Sequence, residues 1–147
     1  MAWSLEAEEA ELLVASAWLH DIGYSSELAD TGFHPLDGAR FLRSSGAPAR
    51  LCRLVANHTG ALFEAEARGL ALTLTSEFPA EASLLADCLT FVDLVSGPQG
   101  ENMTPEERID EILRRYAAGH CVHESIRRGR PHLIAAVGRV EHRLSSG

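Results

Sequence analysis

Apolar positions recur along most of the chain at the spacing of an amphipathic helix. Leu13, Ala17 and His20 fall at i, i+4 and i+7, which places them on one face of a first helix that should end at Gly23. The same periodicity predicts a second helix from His34-Pro35 to Gly46 and a third from Pro48 through His58, followed by a short helical piece up to Gly69. Later helices are predicted from Glu81 to Val95, from Thr104 to Tyr116, and from Val122 to Leu144. Pro131 should bend or break the last of these. This succession of helices predicts an all-α fold.

Residues 70–79 do not repeat this pattern. Leu70, Leu72 and Leu74 alternate with smaller or polar residues, which is the spacing of a strand. No second segment shows a strand pattern with which this one could pair, so a loop is the preferred interpretation. Because the chain also has no internal repeat, low-complexity stretch or linker, the sequence predicts one compact helical domain over residues 1–147.

Composition and charge narrow the class of protein. The 147 residues are 46% hydrophobic, which is enough to fill one core, and no apolar run approaches the roughly 20 residues that a membrane span needs. Residues 1–11 contain four Glu and no basic residue, the wrong charge for a signal or transit peptide, so we expect a cytoplasmic protein. The net charge of -8, with a single dense basic run at Arg127, Arg128 and Arg130, argues against binding to duplex nucleic acid.

The first indication of chemistry is the sequence His20-Asp21-Ile22-Gly23 at the end of the first helix. Asp21 follows an apolar stretch, and burying a carboxylate without a partner is costly. A cation would satisfy that charge. Adjacent His and Asp side chains can reach one ion where the chain turns at a helix end, so the pair is a candidate metal site.

Three more side chains are candidates for the same site. His34 lies at the N-cap of the second helix, His58 lies on the apolar face of the third, and Asp93 interrupts an apolar run. Each also has an ordinary interpretation, since His34 would cap its helix, His58 would be a hydrogen-bonded core histidine, and Asp93 would face solvent. Asp87 competes with Asp93 for any acidic role, because six residues put them on different sides of one helix.

Taken in order, these residues resemble the HD superfamily of metal-dependent phosphohydrolases. The similar features are His20-Asp21-Ile22-Gly23, then His34-Pro35 followed by Gly38-Ala39, then His58 near the end of a helix, and Asp93 on a later helix. The resemblance covers residues 12–115. It is closest to small bacterial HDIG-type proteins and more distant from the HD-GYP branch, and it implies a single HD-type helical domain.

The resemblance also implies a divalent metal ion and a hydrolytic reaction. The metal core would be His20, Asp21 and Asp93, while His34 and His58 would hold a second ion or face the substrate. A mixed set of histidines and carboxylates suits Mn, Fe, Co, Ni, Zn or Mg, with one or two ions per chain. Family members hydrolyse phosphoesters with a water molecule that the metal activates, and Asp21 would be the catalytic residue that orients this water.

The substrate implied by the resemblance is a small phosphorylated molecule or a nucleotide. Arg40 and Arg43 follow His34 on the second helix and are candidate phosphate contacts. Asn57 stands before His58 where HD-GYP members have paired histidines, and the GYP segment is absent. Hydrolysis of cyclic dinucleotides is therefore not expected.

One ligand of the family pattern has no counterpart before His20. The family's first metal-binding histidine lies on a helix that precedes the His-Asp helix, but residues 1–19 contain no histidine. The sequence therefore predicts an N-terminally shortened domain with one ligand fewer. An apolar face left open in this way would favour a homodimer.

Two functions from different classes remain open. One is a metal-dependent phosphohydrolase that acts on a small phosphoester or nucleotide. The other is a degenerate, non-catalytic HD-fold module, dimeric or not, that binds a metal or a ligand without turnover. A third interpretation gives His20 and Asp21 a purely structural role in a helical interaction domain.

Overall fold

The computed structural model describes residues 5–147, and helices account for most of them. The α-helices are α1 (Ala7–Leu19), α2 (His34–Ser44), α3 (Ala49–Ala56), α4 (Ala61–Ala67), α5 (Ala71–Glu77), α6 (Leu84–Leu94), α7 (Pro105–Arg115) and α8 (Cys121–Ser145). Two 3-10 turns, Ile22–Tyr24 and His58–Gly60, follow α1 and α3. Within the described residues the only β-type pairing is an isolated bridge between Ser96 and Asn102, so the predicted all-α class is confirmed.

The helices pack in a way that brings several helix ends together. The longest helix, α8, packs against α4, α6 and α7, while α2 packs against α3 and α1 contacts both α3 and α6. Phe33, Leu36 and Leu74 are fully buried in one part of the core, and Ile109 and Leu133 are buried in another. As a result, the ends of α1, α3 and α6 lie next to the start of α2. In residues 5–147 no helix is long and apolar enough to cross a bilayer.

A buried carboxylate holds the segment between α1 and α2. Asp37 of α2 is only 3% exposed. Its Oδ1 accepts hydrogen bonds from the backbone N–H and the hydroxyl of Thr31, and its Oδ2 accepts one from the N–H of Asp30. Because these donors replace water, the buried charge is satisfied and the loop returns to the first turn of α2.

The prediction of a loop at residues 70–79 was wrong, because α5 occupies Ala71–Glu77. Leu70, Leu74 and Phe78 lie four residues apart and pack on one core cluster, whereas Leu72 is 80% exposed. The strand-like alternation therefore included one leucine that faces solvent, and the helical spacing of the other apolar residues decides the structure.

Pro131 does not split the last helix, so the break, one of the two outcomes predicted there, does not occur. This proline lies inside α8, which runs from Cys121 to Ser145. A proline removes the N–H that would bond to the carbonyl four residues earlier, here that of Arg127. Both Pro131 and Arg127 are exposed, so water can bond to that carbonyl and the helix continues.

Two expectations about the start of the chain stay predictions. Residues 1–4 lie outside the described part, so the shortened N-terminus is not tested. Val14 and Trp18 of α1 are 58% and 84% exposed, which is the kind of open apolar surface that the predicted homodimer would use. The dimer itself stays a prediction.

Candidate metal centre

The ring of His20 is oriented by the end of α1. His20 is the C-cap residue, and its backbone N–H donates to the carbonyl oxygen of Ser16 at 2.8 Å. Its Nδ1 lies 2.7 Å from the carbonyl oxygen of Ala17, an atom that can only accept, so Nδ1 carries a proton. Its Nε2 is buried and has no partner in hydrogen-bond geometry, and in the neutral ring this atom carries a free lone pair.

The ring of His58 is oriented in the same way at the end of α3. His58 opens the 3-10 turn after the C-cap residue Asn57 and is 7% exposed. Its Nδ1 lies 2.6 Å from the carbonyl oxygen of Val55, so this nitrogen also donates to the backbone. A neutral His58 therefore presents the lone pair of Nε2 to the interior of the site.

Two carboxylates face these ring nitrogens. Nε2 of His20 lies 3.3 Å from Oδ2 of Asp21 and 3.4 Å from Oδ1 of Asp93, while Nε2 of His58 lies 3.7 Å from Oδ1 of Asp21. One ligand atom from each of His20, Asp21 and His58 lies within 4.8 Å of the others. Nitrogen lone pairs and carboxylate oxygens repel one another unless a proton or a cation lies between them.

His34 adds a third imidazole at the first turn of α2. Its Nε2 lies 3.3 Å from Nε2 of His58 and 3.3 Å from Oδ1 of Asp21. Its ring stacks on Tyr24, with centroids 3.8 Å apart and an interplanar angle of 17°. Tyr24 is still 66% exposed, so it covers one face of His34 without closing the site to solvent.

The protonation of the cluster reflects its negative charge. Burial works to lower the pKa of His20, but its interactions with Asp21 and Asp93 outweigh burial and raise that pKa to about 10. Burial, and then the neighbouring His34, lower the pKa of His58 to about 4. Burial also works to raise the pKa of both aspartates, but the neighbouring histidines hold these two pKa values below their ordinary range. The two carboxylates therefore favour positive charge at His20, and a bound cation would supply the same compensation.

Thr59 holds the carboxylate of Asp93 from the other side. Its hydroxyl donates to Oδ2 of Asp93 at 2.5 Å, which leaves Oδ1 for His20. The backbone of Thr59 has φ 48° and ψ 50°, in the left-handed region that a β-branched residue rarely adopts. Such strain is typical of functional sites, where the surrounding structure compensates for it.

These residues fit a divalent transition metal. Neutral imidazoles and carboxylates are the ligand types that Mn, Fe, Co, Ni and Zn prefer. A histidine that binds a metal through one nitrogen almost always donates its other N–H to a carbonyl or carboxylate, as His20 and His58 both do to backbone carbonyls. The buried, unpartnered Nε2 of His20 is the observation that a bound ion would explain most directly.

A cavity of about 400 Å³ opens from the cluster. The side chains that line it include Asp21, His34, His58 and Asp93 on one side and Arg108, Arg115 and Tyr116 on another. Its volume lies within the range of pockets that bind small molecules. The carboxylate of Asp21, with a side chain 56% exposed, is the cluster member most open to this cavity.

The structure brings together all five residues that the sequence proposed as ligands, namely His20, Asp21, His34, His58 and Asp93. It corrects two details of their local setting. His34 is the first residue of α2 and not its cap, because Phe33 is the N-cap and no side-chain cap bond is made. His58 lies in a 3-10 turn and not within the third helix, since Thr59 and Gly60 both have positive φ.

The other candidates lie elsewhere. Asp87 forms a two-bond ion pair with Arg139 of α8, each bond 2.7 Å long, so Asp93 is the α6 aspartate that reaches His20. Arg40 and Arg43 both bond to Glu77 and are not among the residues that line the cavity. Their role as phosphate contacts stays a prediction that has no support from their position.

Sequence reasoning missed four residues at this site. Tyr24, Thr59, Arg108 and Arg115 line the same cavity as the histidines. Tyr24 could have been found, because it directly follows the His-Asp-Ile-Gly segment. The other three gave no signal, since neither the left-handed backbone of Thr59 nor the position of α7 is encoded in local spacing.

Comparison with known protein families identifies the family to which this chain belongs. The family described as the HD domain matches residues 1–118. The chain belongs to the HD domain family. No curated protein and no solved structure matches it. The family assignment agrees with the helical fold and with the His-Asp cluster, and it names no substrate.

Replacing Thr59 by Val in this HD domain should weaken divalent metal binding. Val keeps the β-branched shape and the backbone strain, but it removes the hydroxyl that orients Asp93. Losing such a supporting hydrogen bond typically reduces metal affinity by about ten-fold to a hundred-fold. Calorimetric titration of the metal-free protein with Mn²⁺ measures the effect. Thr59→Ser restores the hydroxyl and should recover the affinity, and equal affinities of Thr59→Val and the unsubstituted protein would contradict this role.

Proposed function

We propose that this HD domain is a metal-dependent phosphohydrolase that acts on a small phosphoester or nucleotide. Its metal ligands would be His20, Asp21 and Asp93, with His58 and His34 completing the first site or a second one. The observation that carries the proposal is the paired orientation of His20 and His58. Both rings donate Nδ1–H to a backbone carbonyl and direct Nε2 toward the same carboxylate, Asp21.

A divalent ion at this position would lower the pKa of a water molecule and offset the negative charge on phosphoryl oxygens. Asp21 would orient that water, because its carboxylate is held by His20 and His34 and is still open to the cavity. His34, at 12% side-chain exposure, lies at the same opening, where it would either hold a second ion or face the substrate. Tyr24 restricts the orientation of the His34 ring by stacking on it.

The size and the lining of the cavity support a small substrate. The cavity of about 400 Å³ admits a molecule larger than phosphate alone, yet it is too small for a folded partner. Cluster residues line it, so a phosphoester that enters would present its phosphoryl group to Asp21 and His34.

The test is to measure metal content and hydrolysis on the same preparation. The protein would be purified without a chelator or a His tag, analysed by elemental mass spectrometry, and assayed on a panel of phosphoesters. We expect one or two ions per chain, hydrolysis that is lost after chelation, and recovery when Mn, Co, Ni or Fe is returned. Bound metal with no turnover on the panel would instead support the non-catalytic module. Failure to bind any of these metals would contradict the phosphohydrolase and leave only a non-catalytic module that binds a ligand without metal.

A further inference from the structure

Helix α7 contributes a cationic wall to the cavity. Arg108, Ile112 and Arg115 are spaced i, i+4 and i+7, and all three line the cavity, so one face of the helix borders it. Arg108 is half-buried, with 15% of its side chain exposed, while Arg115 is 42% exposed. Arg108 therefore lies deeper in the protein than Arg115, which is closer to solvent.

The charge of this wall is positive in a chain whose net charge is -8. Both guanidiniums bond to one carboxylate, Glu111, so two positive charges share a single negative partner. Glu111 is not among the residues that line the cavity, whereas both of its arginine partners are. Glu64 does line the cavity, but its charge is paired with Arg68 at 2.8 Å.

This wall is separate from the His-Asp cluster. Among the ion pairs of the described residues, neither Arg108 nor Arg115 reaches Asp21 or Asp93, and both turn to Glu111. The ring of Tyr116, with Arg115 5.9 Å from its centroid, also lies on the α7 side of the cavity. A ligand held at the cluster would therefore have a second group available for the guanidiniums, which line the same cavity.

We propose that Arg108 and Arg115 form an oxyanion-binding subsite, so that the substrate of this enzyme carries a second anionic group besides the phosphoester that is cleaved. This inference rests on the proposed function in one respect, since the bound anion belongs to a substrate only if the domain hydrolyses phosphoesters. Guanidinium groups recognise phosphate and carboxylate through paired N–H donors, and two of them held by a common carboxylate are oriented before the ligand arrives. The cavity leaves room for both ends of such a molecule.

The first experiment needs no hydrolysis. Metal-free protein would be titrated with inorganic phosphate in a calorimeter, and Arg115→Gln and Arg108→Gln compared with the unsubstituted chain. Each variant should raise the dissociation constant about ten-fold or more, the effect of losing a charged hydrogen bond. Arg114→Gln is the matched control, because Arg114 lies on the same helix, is exposed and does not line the cavity. The phosphate affinity of this variant should equal that of the unsubstituted chain.

The second experiment separates this subsite from the hydrolytic site. On metal-loaded protein, Arg115→Gln should raise KM for a sugar bisphosphate by a larger factor than KM for the corresponding monophosphate, whereas Arg114→Gln should change neither. Phosphate binding that depends on Arg115 in a protein that hydrolyses nothing would support the subsite and refute the proposed function. Hydrolysis combined with phosphate affinities that are equal in all variants, or reduced equally in Arg114→Gln, would overturn the subsite and leave the proposed function standing.

Discussion

Asp21→Asn should lower kcat for metal-dependent phosphoester hydrolysis by about a hundred-fold or more, the usual effect of misplacing a reacting group. Asparagine keeps the size of the side chain but has no negative charge. The substitution also removes the carboxylate that faces Nε2 of His20, His34 and His58 at 3.3 to 3.7 Å. Metal retention and water orientation would therefore fail together.

The measurement is steady-state kinetics on the best substrate of the panel, with metal content determined for each sample. Asp87→Asn is the matched control, because it makes the same substitution at an aspartate that is paired with Arg139 and lies outside the cluster. That control should keep the activity of the unsubstituted protein. Because the Asp21 side chain is 56% exposed, Asp21→Asn should still fold, which its thermal denaturation can verify. If Asp21→Asn hydrolysed phosphoesters as fast as Asp87→Asn, Asp21 would not be catalytic.

Short sequence patterns predicted most helices and one helix cap correctly. The four residues Thr104-Pro105-Glu106-Glu107 match the sequence pattern of a capping box, and the structure contains both of its hydrogen bonds. The apolar periodicity located α6 and with it Asp93. Helix identity depends on interactions within a few residues, so local patterns are enough to predict it.

The arrangement of the site depends on contacts that local patterns do not contain. His34 and His58 are 24 residues apart, and their 3.3 Å approach follows from the packing of α2 on α3. The orientation of each ring depends on a carbonyl that is exposed only where its helix ends. Sequence order and the family resemblance together named the five cluster residues, but they did not predict which nitrogen of His20 or His58 is free.

Local sequence patterns also failed to predict which arginines line the cavity. Arg40 and Arg43 follow His34 on one helix, but at about 100° per residue they project some 120° and 180° away from it around the helix axis. They therefore meet Glu77 and not the cavity. Arg108 and Arg115 are more than 70 residues from His34 in sequence, and they reach the cavity because α7 packs on α8 and α6.

A large loss of stability is also expected from a substitution where the 3-10 turn after Asp21 packs closely against the start of α2. A Cβ placed on Gly23 would lie 1.9 Å from the carbonyl oxygen of His34 and 2.7 Å from the backbone nitrogen of Gly38. Both neighbours are backbone atoms of the first turns of α2, so no side chain can move aside. The 3-10 turn after Asp21 and the start of α2 therefore pack together only if residue 23 has no side chain.

Gly23→Ala should lower the free energy of unfolding by about 3 kcal/mol or more, the upper range for overpacking a close contact. Urea denaturation followed by circular dichroism measures this change. Gly138→Ala is the control, because Gly138 lies inside α8 with nothing within 4 Å of its added Cβ, and it should gain about 0.5 to 1 kcal/mol from the better helix propensity of alanine. Any Gly23→Ala protein that folds must separate the turn from α2, and with it Asp21 from His34, so its Mn²⁺ affinity should fall as well. Equal stability of the two variants would contradict the tight junction on which the geometry of the cluster depends.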